Sequence, residues 1–435
     1  MHSRTIATML VAAAWIWAAE AGAQSRPPAG RLTFFGSAQT LNLNDGTTRD
    51  FSELTAAMTF RSRLSEEDSG LEYALDVRGT QYPSSRARNQ RTRLYDAWVG
   101  GRTSNGRLTI RGGQMWLHDL GALGSVGGVM TEYRTGPLPA GRLRFGLFAG
   151  AEPKSFDTGY VRDVRKGGAW VALENGALRR HVLGYVATRN SGLTERSVLT
   201  ASNYVPFGTK LFVYQLAEYD LQGPAGIGGG GLNYFFVNAR YTPSRTLEVL
   251  ATVHRGRSID ARTITEDILN GRPVDQKLLE GFLYESTGGR VTAEIVRNVR
   301  VHAGYATDRH NREDRRFGRI SAGIWASNVG GSGFDATLSD NRSKRPDGSY
   351  DSWYASLGRS LGTKVYVTVD YATSLVVVRV IDNGVTIERH PRSRRYGVNG
   401  VWSMTHAFSF IATLERLQDD SSTDERGTFG VVYRF

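Results

Sequence analysis

The sequence predicts an all-β protein, a transmembrane antiparallel up-and-down β-barrel, and three observations carry that prediction. Apolar and polar residues alternate with a period of two in segment after segment from Arg31 onward, turn residues fill the breaks, and the chain ends on an aromatic strand. That last strand shows the pattern most clearly. Phe429, Val431, Tyr433 and Phe435 form one set, whereas Thr428, Gly430 and Arg434 belong to the other. One face suits lipid and the other a hydrated interior.

The same alternation recurs upstream. Leu54, Ala56, Met58 and Phe60 face away from Glu53, Thr55, Arg61 and Arg63, and Leu71, Tyr73, Leu75 and Val77 alternate with Glu72, Ala74, Asp76 and Arg78. In the middle, Leu143, Phe145 and Leu147 oppose Arg142 and Arg144, and Leu247, Val249, Ala251 and Val253 oppose Glu248, Thr252 and His254. Ile320, Ala322 and Ile324 oppose Arg319 and Ser321; Val365, Val367, Val369 and Tyr371 oppose Tyr366, Thr368 and Asp370. Tyr73, Tyr95, Tyr305, Trp402, Tyr433 and Phe435 lie near strand ends, where interfacial girdles sit. A soluble propeller would carry polar outward faces instead.

The breaks read as short, then long. Thr103 to Gly106, Pro137 to Gly141, Pro206 to Thr209, Thr242 to Arg245 and Gly331 to Gly333 are tight turns; Gln81 to Gln90, Glu152 to Lys166, Gly223 to Gly231 and Arg257 to Gly288 are roomier. Within the longest, Thr265 to Leu269 and Lys277 to Glu280 can each form a short helix, separated by Gly271 and Pro273, and a loop folded inward would narrow the interior. Val376 to Ile381 and Val385 to Glu388 flank Asp382-Asn383-Gly384, a tight-hairpin sequence. Its arms reach back to Val365 and on to Trp402, longer than the roughly 9 to 11 residues that cross a bilayer. The count is about 22 strands, with about 18 to 22 compatible, and an even number puts both ends on one side.

The N-terminus reads as a secretory signal over residues 1–23. His2 and Arg4 precede an apolar stretch from Ile6 to Ala19, then Ala21-Gly22-Ala23. Residues 24–30 are a flexible lead, and 31–435 form a single barrel. The mean hydropathy of -0.34 is compatible with a barrel, because only every second wall residue faces lipid. The chain has no cysteine.

A signal followed by a final strand ending Val431-Val432-Tyr433-Arg434-Phe435 resembles the bacterial outer-membrane β-barrel class, porin-like in architecture, without pointing to a specific family. The resemblance implies export, insertion by the barrel-assembly machinery through the C-terminal strand, an outer-membrane location and periplasmic termini. It implies contact with the lipid bilayer and with lipopolysaccharide, for which Arg86, Arg88, Arg91 and Arg93 form one candidate cluster and Arg392, Arg394 and Arg395 another. No globular plug precedes the first strand, unlike a receptor-type energy-coupled transporter.

The formal net charge of +12 would raise nucleic-acid binding in a cytoplasmic protein; in an exported barrel it does not. The presumed interior carries Arg61, Arg78, Arg142, Arg144, Arg240, Arg300, Arg319 and Arg395 against Asp76, Glu248 and Asp370, with Glu53 and Asp335 as further acids. These are the pore-lining candidates. They suit salt-bridge ladders that stiffen the interior and, equally, a basic constriction favouring anions.

The first functional reading is therefore a porin-like channel for small solutes with anion preference. A sealed structural or partner-binding barrel is the second, and an outer-membrane enzyme the weakest. His118-Asp119, His254, and His310 near Glu313 and Asp314 form no recognisable catalytic motif. Neither HExxH nor cysteine ligands are present, Glu66-Glu67-Asp68 reads as a solvated turn, and Gly228 to Gly231 lacks the strand-to-helix context of a phosphate cradle. No catalytic, cofactor or metal residue is assigned.

Overall fold

The computed structural model describes residues 28–435, apart from 63–68, 84–89, 122, 155–156, 177–178, 228–229, 312–314, 346–347 and 383–384. The proposed signal therefore lies outside the described residues, as do Arg63, Glu66 to Asp68, Arg86, Arg88, Glu313 and Asp314.

The sheet opens with β1 (Ala29–Leu43) and β2 (Thr48–Arg61), and continues with β3 (Gly70–Gln81), β4 (Gln90–Arg102), β5 (Leu108–Trp116) and β6 (Ser125–Arg134). Next come β7 (Arg142–Pro153), β8 (Tyr160–Asn175), β9 (Arg179–Asn190), β10 (Leu193–Phe207), β11 (Leu211–Gln222), β12 (Gly231–Ser244) and β13 (Leu247–Ser258). After the longest connection follow β14 (Phe282–Val296), β15 (Val299–His310), β16 (Phe317–Ala326), β17 (Phe334–Arg345) and β18 (Gly348–Leu361). The chain finishes with β19 (Val365–Asp382), β20 (Val385–Arg389), β21 (Arg392–Ser403), β22 (Phe408–Asp419) and β23 (Ser422–Arg434).

Apart from β20 and β21, each strand pairs antiparallel with its chain neighbours, and β23 returns to pair with β1 from Arg31↔Arg434 to Leu43↔Ser422. β20 and β21 both lie against β19, so they form one stave interrupted at His390-Pro391. Pro391 has no N–H to give the ladder, but its carbonyl still accepts Val376 N–H at 3.0 Å. The result is a closed barrel of 22 staves, the number expected from the alternation.

An even stave count brings both chain ends to one end of the barrel. Many connections there are tight, including 103–107, 208–210, 245–246 and 297–298, although 62–69, 135–141 and 327–333 are longer. The opposite end holds the long loops, but the expected short–long alternation is incomplete, because 191–192 and 420–421 are two-residue links at that same end. Two expected loops are shorter than read: β8 already begins at Tyr160, and the longest connection is 259–281, with Arg257 in β13 and Gly288 in β14. Both helices expected within it form, at Ala261–Leu269 and Gln276–Glu280. The hairpin also forms, with Asp382↔Val385 closing it and Val365↔Trp402 at its base.

The outward face is apolar. Leu54, Leu71, Val99, Leu147, Leu183, Ile320, Leu357, Val369, Leu414 and Phe429 are all exposed there, and Tyr305, Trp402 and Tyr433 add exposed aromatics. The other three expected girdle residues differ. Tyr73 is covered by Phe60, whose ring stacks on it at 5.2 Å. Phe435 is half-buried, its ring 6.0 Å from that of Phe60. Tyr95 sits at a bulge, since Asp76 pairs with Asp96 but Val77 with Leu94. The Gln114 amide donates to the Leu94 carbonyl beside that irregularity.

The seam between β1 and β23 is closely packed: a side chain at Gly430 would run into the Phe35 ring across it. Gly430→Val should destabilise the folded barrel by about 1–3 kcal/mol through overpacking, read as a lower urea midpoint for loss of the heat-resistant, fast-migrating form, with Thr428→Val as the benign control.

Candidate functional site

Strand register fixes which side chains face inward, since directly paired residues share a face. Following the pairs around the sheet, Arg61, Asp76, Arg78, Arg142, Arg144, Arg240, Glu248, Arg300, Arg319, Asp370 and Arg395 all fall on the inner face. Two pairs among them meet directly: Arg240 Nε donates to Glu248 at 2.7 Å, and an Arg395 N–H donates to Asp370 at 3.2 Å. Arg78 meets Glu53, one of the further acids named from the sequence, and the others find partners that sequence reading did not select. Arg61 reaches Asp96 at 3.5 Å, Arg78 reaches Glu53 at 3.7 Å, Arg300 reaches Glu294 at 3.5 Å and Arg319 reaches Asp308 at 3.7 Å. Asp76 lies directly opposite Asp96, and Arg142 opposite Glu174.

Arg144 belongs to a buried network. It pairs with Glu132 at 2.8 Å, Glu174 at 2.6 Å and Asp119 at 3.2 Å, and its guanidinium lies 5.0 Å from the centre of the Trp170 ring. Glu132 also takes Arg134 at 2.6 Å, while Glu72 holds Arg102 and, at 2.9 Å, Arg111. Arg180 closes the chain on Asp119. Four strands, β6 to β9, are thereby laced to one acidic residue of a connecting loop.

That loop, 117–124, folds into the barrel. β5 and β6 are short, 9 and 10 residues, so their connection starts below the height of its neighbours. Its Leu117, Leu120 and Leu123 pack with Met115 and Val126 against Phe148, Trp170, Ala172, Val182, Val186 and Val198 of the wall. Leu120 is fully buried, and Gly184 makes the room, since a side chain there would strike it. Sequence reading saw only a loop with His118-Asp119. Its signal was legible elsewhere: Ala169-Trp170-Val171-Ala172-Leu173 has lost alternation, as a strand buried on both faces does.

The helix Ala261–Leu269 folds in beside it. The Asp260 carboxylate caps its start, accepting Thr263 N–H at 3.0 Å and Thr263 Oγ1–H at 2.7 Å. The Thr263 N–H and hydroxyl hold the Asp260 carboxyl below its usual range. Arg262 then binds Glu195 at 2.7 Å and Glu152 at 3.0 Å, and Ile264 is fully buried. A cavity of about 390 Å³ remains between this loop and the wall, lined by Glu195, Arg196, Glu218, Asp220 and Tyr234 among others.

The two sides of the inner wall consequently differ. Where the loops insert, Arg111, Arg134 and Arg144 have side chains only 13–16% exposed. Elsewhere Arg61, Arg240, Arg300, Arg319 and Arg395 are 42–58% exposed, above carboxylates such as Asp96, Asp308 and Asp370 that are 3–6% exposed. Water there meets guanidinium groups, with the acids beneath them.

An aromatic row crosses the same face, which the sequence did not suggest because its members are separated by up to 80 residues. Phe212 and Tyr214 both lie against Tyr204, and Phe236, His254 and Tyr284 continue the row from Tyr214, with ring centres 4.6–6.1 Å apart. His254 is thus a ring among rings, His310 sits between Phe282 and Phe317, and His118 Nε2 lies 3.8 Å from Asp96. Both arginine clusters read as surface candidates are redistributed. Arg91 and Arg93 lie in β4 opposite Thr80 and Arg78, on the inner face; Arg395 is also inward, and among the described members only Arg392 and Arg394 point outward. A period of two separates neighbours that composition groups together.

Glu132→Ala should cost about 3–5 kcal/mol of barrel stability, because it strands buried arginines, whereas Glu248→Ala beneath a half-exposed arginine should cost under about 1 kcal/mol; urea titration of the two variants separates them. Gly184→Leu should displace Leu120 and raise susceptibility of residues 117–124 to proteolysis in the folded barrel.

No family model matches the chain, and no curated protein matches it. Solved structures similar to it include Pseudomonas aeruginosa OccK2 (OpdF), at 10% identity and TM-score 0.47 over 94% of this chain and 97% of that one. Acinetobacter baumannii OccAB4, at 9% identity and TM-score 0.44, covers 95% and 99%. Pseudomonas aeruginosa OpdQ, at 7% identity and TM-score 0.45, covers 94% and 99%. On its own closed sheet, apolar outward face and charged inward face, the chain is a transmembrane β-barrel of the outer-membrane type.

Proposed function

We propose that the protein is an outer-membrane channel through which small solutes pass, with preference for anions. The supporting observation is that Arg61, Arg240, Arg300, Arg319 and Arg395 are half-exposed on the inner wall, and that three of them, Arg61, Arg319 and Arg395, lie over carboxylates only 3–6% exposed. A carboxylate at 3–6% exposure neutralises net charge but presents little negative surface to a solute, so the field met along the wall is positive. In this reading Arg78, Arg142, Arg144, Asp76, Glu248 and Asp370 line or brace the path, residues 1–23 direct export, and the termini are periplasmic. The strand ending in Phe435 engages the assembly machinery, and phosphate groups of lipopolysaccharide meet outward-facing arginines.

A second reading, a sealed barrel, is favoured by one feature: Leu120 and Ile264 are buried inside by the segments 117–124 and 259–281. Conductance separates the two. The refolded protein in a planar bilayer should give steady single-channel currents with reversal potentials indicating anion preference, and Arg240→Glu with Arg319→Glu should shift that preference toward cations. Replacing 261–280 by a short Gly-Ser link should raise conductance. Silence in the wild type, with current only in the shortened variant, would establish the sealed reading instead.

A further inference from the structure

We propose that the aromatic row on the inner wall is a binding track for linear oligosaccharides; this rests on the channel reading above and names a class of solute for it. Strand register places every ring of the row on the inner face. Tyr204 pairs with Tyr214, Phe212 with Arg240, Phe236 with His254 and Tyr284 with Gly256. Phe212 is the second residue of β11, just after the tight turn 208–210, and Tyr284 is the third of β14, just after the connection 259–281. The row therefore climbs from the end that holds the chain termini to the opposite end.

Such a row is out of place on a hydrated inner face, where polar side chains are the rule. None of its rings belongs to the patch of wall that residues 117–124 cover. Tyr204 is exposed and the other five are half-buried. With ring centres 4.6–6.1 Å apart, a solute leaving one ring is already over the next.

A polar strip runs beside the rings. On β12 the inward residues after Phe236 are Asn238 and Arg240; on β13, Thr252 precedes His254 and Glu248 lies beyond Leu250. Asn238 donates to Thr252 Oγ1 at 3.5 Å and Arg240 Nε to one Glu248 oxygen at 2.7 Å, while Arg290 lies 3.8 Å from the other. Both arginines of the strip thus share a carboxylate that is itself partly exposed. A carboxylate solute would meet acceptors there as well as donors. Sugar hydroxyls both donate and accept, and the weakly positive axial C–H bonds of a pyranose suit the negative face of an aromatic ring. An aromatic acid would use the rings and leave the strip unmatched.

At its loop end the row meets the cavity of about 390 Å³ beneath residues 259–281. Tyr234, whose ring lies 5.4 Å from that of His254, is part of the cavity lining. Glu218, paired with Tyr234 across the sheet, also lines it. Glu218 is 4% exposed, and its Oε1 has no hydrogen-bond partner among the described residues. A sugar hydroxyl would supply the missing donor. Passage needs sites that hold a solute weakly and repeatedly. A run of similar rings provides this for a repeating chain, because advancing by one unit exchanges one stacking contact for another.

The test uses the refolded full barrel, in an amine-oxide detergent and in planar bilayers, with cellohexaose, maltohexaose and benzoate as probes. At least one hexaose should bind by isothermal titration calorimetry and interrupt single-channel current. Tyr214→Leu/Phe236→Leu should weaken that binding at least about tenfold. Tyr214→Phe/Phe236→Tyr, which keeps both rings, should bind as the wild type does, and heat-modifiable migration checks the folding of each. Binding of neither hexaose, or equal binding by the leucine variant, overturns the proposal. Benzoate bound in place of the hexaoses, with the same loss in the leucine variant, assigns the row to aromatic acids instead. A barrel that binds a hexaose but passes no current refutes the channel alone, and steady current without hexaose binding refutes the sugar track alone.

Discussion

In hydrocarbon no water is available to satisfy an exposed backbone N–H or C=O, so a strand-built membrane protein must pair every strand on both sides. Here that requirement is met by the β1–β23 seam. Without it β1 and β23 would each present a row of open groups to lipid, at several kcal/mol apiece. Closure with an even number of staves also brings both chain ends to one end and leaves the longest connections at the other. The tight packing of Phe35 over Gly430 at the seam, and the carbonyl of Pro391 continuing the ladder where its nitrogen cannot, are local solutions to that same constraint.

Once the sheet is closed, each residue's parity decides its solvent. Outward positions take Leu, Val, Ile and aromatics because lipid asks nothing more specific. Inward positions must handle charge, and the two halves of the wall do so differently. Over β4 to β7 Arg102, Arg111, Arg134 and Arg144 are buried, and Glu72 and Glu132 each serve several of them. Burial of that kind is tolerable only when every partner is present, which makes this side a rigid abutment for the inserted loop. Over the remaining strands each acid lies under a single arginine or two, and the guanidinium groups keep part of their hydration.

The inserted segments join these halves into one design. Residues 117–124 carry leucines to an apolar patch of wall and Asp119 to Arg144 and Arg180, so hydrophobic burial and ion pairing fix the loop at two points. The helix Ala261–Leu269 is tied by Arg262 to Glu152 and Glu195 on strands far apart in sequence. Both segments lean on the same side, leaving the half-exposed arginines facing the part of the interior that they do not fill. The free width of the interior is thereby set by loops, and the charge of its wall by strands.

The sequence by itself determined whatever depends on parity. The barrel class, the stave count, the inward assignment of all eleven charged candidates, the hairpin at Asp382 and the two short helices were legible because alternation and turn chemistry act within a few residues. Tertiary structure alone decided what depends on closure around the circumference. Whether an inward arginine is buried, like Arg144, or half-exposed, like Arg319, follows from which loop folds over it, and for Arg144 that loop carries Asp119, 25 positions away. The aromatic row from Tyr204 to Tyr284 arises the same way, from register between strands. Compositional clusters such as Arg392, Arg394 and Arg395 misled for the complementary reason, since residues adjacent in the chain stand on opposite sides of a wall one strand thick.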